Sequence, residues 1–483
     1  MKLLKIISVF LLAAMLATFI GCGDKSAPAG TDPSGADPEN TAAEETIAET
    51  YAVDTIEKAD FEGREFKIIS TNQDQRQVDV VAEEENGAIL NDLVFRRNQK
   101  LEELFNVKIT TADKDYGSIN SMVQKAAQAG DNPYDLYMTN ATAAGLASSG
   151  YLTAWNTIGA MDITKPWWDQ AAISDMSIAG NSYLVTGDIS PTGMLTSECI
   201  LFNKRLFDAR SIPYQYEKAF DGAWTIDEMI NLTKDLTEDI DGDGKLSDKT
   251  DLYSFTLWCD AGTALFYGQG GTFSKKEEGD IPAIDFNVDA ISSRYDKIYQ
   301  LVIDNAANYS KSDHEMSFKV FNQGRAYFCD ITFQKVEMFL RDMEDDYGVL
   351  PLPKYDEAQQ RYQTNVSGAG TMVVLPVSVS DIDVVGRLID AYAAIAYDDI
   401  TPSLFDVIAS VKNTRDEESI RMVQLIIRNR VFDPVRMYYI AGHNSVDDLL
   451  AKPSPDIAST LAKYQDKAVA ELQKIVDAVT ANN

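Results

Sequence analysis

Histidine is nearly absent. The chain has two in 483 residues, His314 and His443, and His314-Glu315 is not followed by a second histidine on the next helical turn, so no zincin helix exists. No GxSxG, GxxxxGK[ST] or strand-linked GxGxxG occurs either, which sets aside motif-bearing serine hydrolases, P-loop enzymes and dinucleotide-binding enzymes. The glycine cluster Gly268-Gln269-Gly270-Gly271 lacks the required spacing and reads as a backbone turn. One hydrolase class survives these absences, because a glycosidase needs only two carboxylates about 5–9 Å apart. Basic residues are also scarce: 43 Lys and Arg against 75 Asp and Glu give a net charge of -32. Such a surface repels phosphate backbones and anionic membranes, which argues against nucleic-acid binding. Cysteines number four, at 22, 199, 259 and 329. The last three lie in apolar neighbourhoods and read as buried free thiols, with no disulfide framework.

Long apolar runs are missing as well, with one exception. Lys2 and Lys5 precede an almost unbroken apolar stretch, Ile6–Ile20. A membrane span needs about 20 apolar residues, so this basic start and short core read as an export signal. Gly21-Cys22 after it resembles a bacterial lipobox, in which the cysteine receives a lipid and residues 1–21 are removed. Phe19 and Ile20 depart from the leucine and small residue usual there. An ordinary secretion signal with a chance cysteine is the alternative. Lipidation at Cys22, for which a palmitate chain is expected, would tether the protein to the extracytoplasmic face of the cell membrane.

Residues 22–59 are rich in Ala, Gly, Pro, Ser, Thr, Asp and Glu without apolar periodicity. They are expected to form a disordered acidic tether, spanning roughly 35 Å on average. Order should begin at Phe61. Strands at Glu65–Ser70, Val107–Thr110 and Asp135–Thr139 alternate with helices at Asn91–Leu104, Ile119–Ala129 and Ala141–Ser149. This is the pattern of an α/β fold with a mainly parallel sheet covered on both faces.

Segments spread along nearly the whole mature chain resemble the extracellular solute-binding protein family 1, the lipoprotein receptors of bacterial ABC importers. They include EFKIISTN, RRNQKLEELFNVKI, NPYDLYMTNATAAGLASSGYLTAW, LFNKRLFDARSIPY, GAWTIDEMINLTKDLTEDIDGDGKLSD, FNQGRAYFCD and YGVLPLPKYDEAQQRY. The resemblance implies a two-lobed periplasmic-binding-protein-like fold with a hinge and a ligand cleft between the lobes. The N-terminal lobe would be 60–195 plus 350–400 and the second 196–349 plus 401–483. Crossings are expected near Thr192–Leu201 and Tyr347–Pro353. It further implies a monomeric receptor, not an enzyme, that captures a small solute, most often a carbohydrate, and passes it to ABC permease subunits in the membrane. A glycan-capturing or adhesion lipoprotein without transport is the rival reading, and a secreted glycoside hydrolase the remote one.

Two groups of residues could carry chemistry. Asp239, Asp241 and Asp243, with Gly244 next, reproduce the start of a calcium loop, where alternating acids in a tight turn point at one centre. Position 12 is Thr250, where an EF-hand has glutamate. In the family a similar loop closes two residues earlier, which adds Asp248 to the Lys245 carbonyl and Ser247, direct or through water. A bound Ca2+ would be structural, and the bland alternative is a metal-free acidic turn. For ligand, the family implies Trp258, Tyr267, Gln269, Phe273, Asp330 and Phe333 from the second lobe. From the first lobe, the loops at strand ends, where ligands of open α/β sheets usually sit, offer Thr71, Asn72, Gln73, Asp74, Asn140 and Thr142, and Asp188, Asn365 and Ser367 could add polar contacts. Aromatic rings stack on sugar C–H faces while polar groups take the hydroxyls. Trp155, Trp168 and Trp224 read as packing residues, the last standing before a helix cap at Thr225.

Overall fold

The computed structural model describes residues 51–404 and 417–481. The export signal, Cys22 and the tether up to residue 50 lie outside these residues. Order starts earlier than Phe61, however. Val53 and Ile56 are buried in and just after a 3-10 turn, Ala52–Thr55, and the Ala52 N–H donates to Asp398 Oδ2 at 2.7 Å. A single turn with two apolar residues is too short to show periodicity, so the expected tether is cut back from residue 59.

Among the described residues two main sheets and two small ladders are formed by thirteen strands. They are β1 Arg64–Thr71, β2 Val107–Lys114, β3 Leu136–Asn140, β4 Glu198–Asn203, β5 Tyr253–Leu257, β6 Ser274–Glu277, β7 Ile281–Ile284, β8 Asn308–Tyr309, β9 Ala326–Thr332, β10 Tyr347–Leu350, β11 Thr364–Asn365, β12 Thr371–Val374 and β13 Arg430–Val431. The first sheet has the order β12-β3-β1-β2 and the second β10-β4-β9-β5-β8. In the first, β1 runs parallel to β2 and β3, and β12 opposes β3. In the second, β5 runs parallel to β9 and β8, and β4 opposes both β9 and β10. The two reversed strands, β4 and β12, are those that enter a lobe from the other one. Two small ladders, β6 with β7 and β11 with β13, complete the pairing.

Side-chain alternation along β1 assigns its two faces. Phe66 and Ile68 pack with Leu101, Phe105, Val385 and Leu388 under the helices Ile89–Phe105 and Ile382–Asp399. Ile69 joins Ile119, Val123 and Tyr137 on the opposite face, in a cluster that continues into the second lobe. The helix Tyr116–Ala129 starts where Asp115 accepts the Ser118 N–H and stops at Gly130, φ 67°. Trp155, Trp168 and Trp224 are buried, and Trp224 donates to the Pro351 carbonyl at 3.0 Å. The C-terminal helices Glu417–Arg428 and Ile457–Ala481 pack on second-lobe strands β10 and β7. Cys199, Cys259 and Cys329 are buried and unpaired. Among the described residues no helix is long and apolar enough to cross a membrane.

The return crossing lies later than expected. Segment 351–363 stays with the second lobe: Lys354 N–H donates to the Trp224 carbonyl at 3.1 Å and Ile226 N–H to the Lys354 carbonyl at 2.8 Å. Gln359 Nε2 donates to the Gly268 carbonyl at 2.9 Å. The chain recrosses at Val366–Gly370, where Ser197 bridges Val366 and Val373 bridges Val185. The family resemblance implies a crossing near Tyr347–Pro353, at the start of the proline-rich PLPK run. Its backbone groups nevertheless pair with the turn before the helix Ile226–Thr233.

Candidate functional site

The first crossing, 191–197, is anchored at both ends. Asp79, buried, accepts from the Thr192 N–H at 2.8 Å and Thr192 Oγ1 at 2.6 Å, and from Ser190 Oγ. Burial pushes its carboxyl up, against those hydrogen bonds. On the second-lobe side the Gln334 N–H donates to the Leu195 carbonyl at 2.9 Å and the Phe333 N–H to Ser197 at 3.3 Å. Beside this crossing runs the second, with Ser367 N–H donating to the Thr196 carbonyl at 3.3 Å.

Residues from both lobes converge over these crossings. Tyr116 Oη donates to the Ala369 carbonyl at 3.2 Å, and Ala141 N–H to the Gly368 carbonyl at 3.4 Å. The Tyr439 hydroxyl lies so close to Gly368 that a Cβ there would meet it at 2.8 Å. Tyr439 is partly exposed and has φ 52°, a conformation bulky residues rarely hold without a functional or packing reason. Arg76 stands 5.9 Å from the Tyr116 ring centroid. The Tyr116 and Tyr439 hydroxyls both lie within the field of the Arg76 guanidinium. Burial pushes the Tyr116 hydroxyl up to about 12. Arg436 donates to Asp260 Oδ2 at 2.7 Å and Tyr439 lies within the field of both. This is a polar, aromatic patch built by both lobes and the hinge.

Deeper in the second lobe lies an acidic group. Glu198 and Asp330 sit on one face of the β4–β9 ladder, since Glu198 opposes Thr332 and Asp330 opposes Ile200. Both are fully buried. Asn365 donates to Glu198 Oε1 at 3.1 Å. Glu198 Oε2 and both Asp330 oxygens have no hydrogen-bond partner among the described residues. Burial first, and a neighbouring carboxylate second, holds both carboxyls well above the usual carboxylate range. Asp447 accepts the Gly262 N–H at 2.9 Å, capping the helix Ala261–Gly268, and burial pushes its carboxyl up to about 7. Asp260, Asp447 and Glu198 hold the Arg436 guanidinium charged against its burial.

The residues expected from sequence divide accordingly. Asp74 reaches across to the second lobe: it pairs with Lys335 at 3.0 Å, and its carbonyl accepts Gln334 Nε2 at 2.7 Å. Asn72 is exposed and donates to Asp113 at 2.8 Å, and Gln73 accepts the Tyr116 N–H. Asn140 lies beside Gly368 but its side chain caps the turn at Thr142. Trp258 is half-buried, with Nε1 free of partners among the described residues, and its ring lies near Phe318 at 6.3 Å. Asp330 is sealed in the acidic group just described. Tyr267, Gln269 and Phe273 are core. Phe273 stacks on Phe266 at 4.5 Å, Tyr267 packs edge-on to both, and Gln269 donates to the Leu265 and Arg294 carbonyls. The tight turn at Gly270 folds these side chains back into the lobe, a direction that spacing does not reveal. Phe333 is buried at the start of the helix Phe333–Phe339. Asp188 is buried against Thr401, and Asn365 serves Glu198. Sequence reading missed Arg76, Tyr116, Asp260, Arg436 and Tyr439. Asp260 and Arg436 meet across 176 positions, and only the backbone betrays Tyr439.

The acidic loop forms a separate site. Carboxylate oxygens of Asp239, Asp241 and Asp243 lie within 4.8 Å of one another. Each carboxylate also accepts from loop amides, as Gly244 to Asp239 and Lys245 to Asp243, both 2.8 Å. Gly242 and Gly244 carry φ 71° and 80°, which the tight turn requires. Asp251 ties the loop shut through the Ile240 and Ser247 N–H groups at 2.8 and 2.7 Å. Asp248 is not among the converging oxygens, and Ser247 Oγ accepts the Lys249 N–H. An exposed set of hard oxygen donors in a glycine-bent loop fits calcium chemistry.

The chain belongs to the bacterial extracellular solute-binding protein family, whose model matches residues 81–394. No curated protein matches it by sequence. Solved structures share its fold. One is a cyclo/maltodextrin-binding protein complexed with maltotetraose, 12% identical, TM-score 0.57, covering 87% of this chain and 97% of that one. Another is an ABC substrate-binding protein from Listeria monocytogenes in complex with cycloalternan, 13% identical, TM-score 0.56, covering 85% and 99%. A third is the galacto-N-biose/lacto-N-biose I-binding protein of Bifidobacterium longum, 14% identical, TM-score 0.58, covering 86% and 98%. The fold is therefore the two-lobed α/β fold of solute-binding proteins.

Proposed function

We propose that this protein captures a carbohydrate between its lobes and hands it to an ABC permease. The observation that carries this reading is the patch over the crossings, where Tyr116, Arg76 and Asp74 of one lobe meet Tyr439, Asp260 and Arg436 of the other. Rings for sugar faces and fixed donors and acceptors for hydroxyls stand where lobe closure brings them together. The sugar ligands of structures sharing the fold support the same class. The protein acts by binding, without catalysis. Export by residues 1–21 and lipid on Cys22 would hold it at the membrane near its permease. Asp239, Asp241 and Asp243 would hold a structural calcium ion, with the Lys245 carbonyl, Ser247 and Asp248 completing the shell as the loop adjusts.

The test is calorimetry of the chain from residue 23 onward against mono- and oligosaccharides, with calcium and with chelator. A sugar that binds and raises the melting temperature is expected. If no sugar binds while a peptide or polyamine does, the carbohydrate reading is lost. If calcium leaves the melting temperature unchanged, the metal assignment goes with it.

A further inference from the structure

We propose that Arg76 is the first-lobe residue that selects the ligand, donating from Nε and Nη1 to the hydroxyl oxygens of a neutral sugar ring. This rests on the carbohydrate reading of the interlobe patch. Arg76 is 1% exposed, yet neither Nε nor Nη1 has a hydrogen-bond partner among the described residues. Nη2 alone is engaged, 3.4 Å from Gln334 Oε1 and 3.6 Å from Asp74 Oδ2. A buried guanidinium with idle donors is unfavourable in the folded protein unless something accepts from them.

The backbone that delivers Arg76 is strained. Asp74 and Gln75, consecutive and neither glycine, hold φ 53° and 60°. Strain of this kind persists where neighbours over-determine it, commonly at binding sites. Here the neighbours come from the other lobe: Gln334 grips the Asp74 carbonyl and Nη2 of Arg76, and Lys335 grips the Asp74 carboxylate. The ligand's chemistry follows from the charges. Arg76 has Asp74 beside it and Arg436 has Asp260. The donors left over carry little net charge, because each guanidinium already faces a carboxylate, so neutral hydroxyls suit the site better than a carboxylate or phosphate.

Arg76→Met and Arg76→Lys separate selection from scaffolding. Without ligand, the Arg76→Met variant should melt at or above the wild-type temperature, because it removes idle buried donors. It should lose about tenfold or more in affinity for whichever of maltotetraose or lacto-N-biose the wild type binds, and Arg76→Lys should recover part of the loss. Glucuronic acid should bind neither wild type nor variant. A melting temperature lowered by more than about 4 °C in Arg76→Met would make Arg76 a structural residue and overturn the proposal, as would unchanged sugar affinity. If the wild type binds neither sugar, the carbohydrate reading falls, and the melting comparison still judges the role of Arg76.

Discussion

Two groups of acidic residues in the second lobe differ in every respect except their chemistry. Asp239, Asp241 and Asp243 are exposed, close together in sequence, and satisfied by the amides of their own loop. Glu198, Asp330 and Asp447 are buried and scattered across the chain, and Glu198 and Asp447 lie near one cation, Arg436. The first group stands in water, with its oxygens converging on one point of an exposed loop. The second group is buried away from water, and its carboxyls shift upward toward the neutral form. Location, more than residue type, decides whether an acidic side chain is exposed and satisfied by its own loop or buried and pushed toward the neutral form.

Removing the shared cation should separate the groups most sharply. Arg436→Ala should cost about 3–5 kcal/mol in urea unfolding, since it strands buried carboxylates. Acidity should act next. Asp188 and Asp447 are held at about 7 mainly by burial, against an ordinary 3.8. Their stabilising contribution is fully present below about 3.8 and lost as pH rises through about 7, so melting temperature should fall between pH 5 and pH 8. Asp188→Asn should flatten that slope, and an unchanged slope would contradict the assignment. In the exposed loop, calcium at about 100 times its dissociation constant should add about 2.7 kcal/mol, and Asp243→Asn should abolish the gain. Asp330→Asn should stabilise at pH 8 by about 1 kcal/mol. Asp241→Asn in chelator should change unfolding by no more than about 0.5 kcal/mol.

The first lobe was legible because its strands and helices alternate with clear periods: Leu93, Val94, Leu101 and Phe105 announce the helix Ile89–Phe105. The WTIDE run announced a cap, and Thr225 accepts the Glu228 N–H as expected. The acidic loop was visible because its three carboxylates lie within five residues. The interlobe patch was legible only in part. Loop positions such as Asp74 follow from where strands end, but Tyr439 and Arg436 reach the site through the packing of C-terminal segments. Nothing local marks them. Tyr267 and Gln269 misled because an aromatic beside glycines looks the same from sequence whether it turns outward or inward.

The two crossing segments are not independent cords. Ser197 bridges Val366, Ser367 donates to Thr196, and Asp79, Phe333 and Gln334 fasten the first crossing to both lobes. A pair of hydrogen-bonded strands bends readily across its flat face but resists shear in its plane. Opening and closing should therefore follow one rotation rather than a free swivel. Each closure would bring the same residues of the two lobes into register, so a permease would meet one repeatable surface.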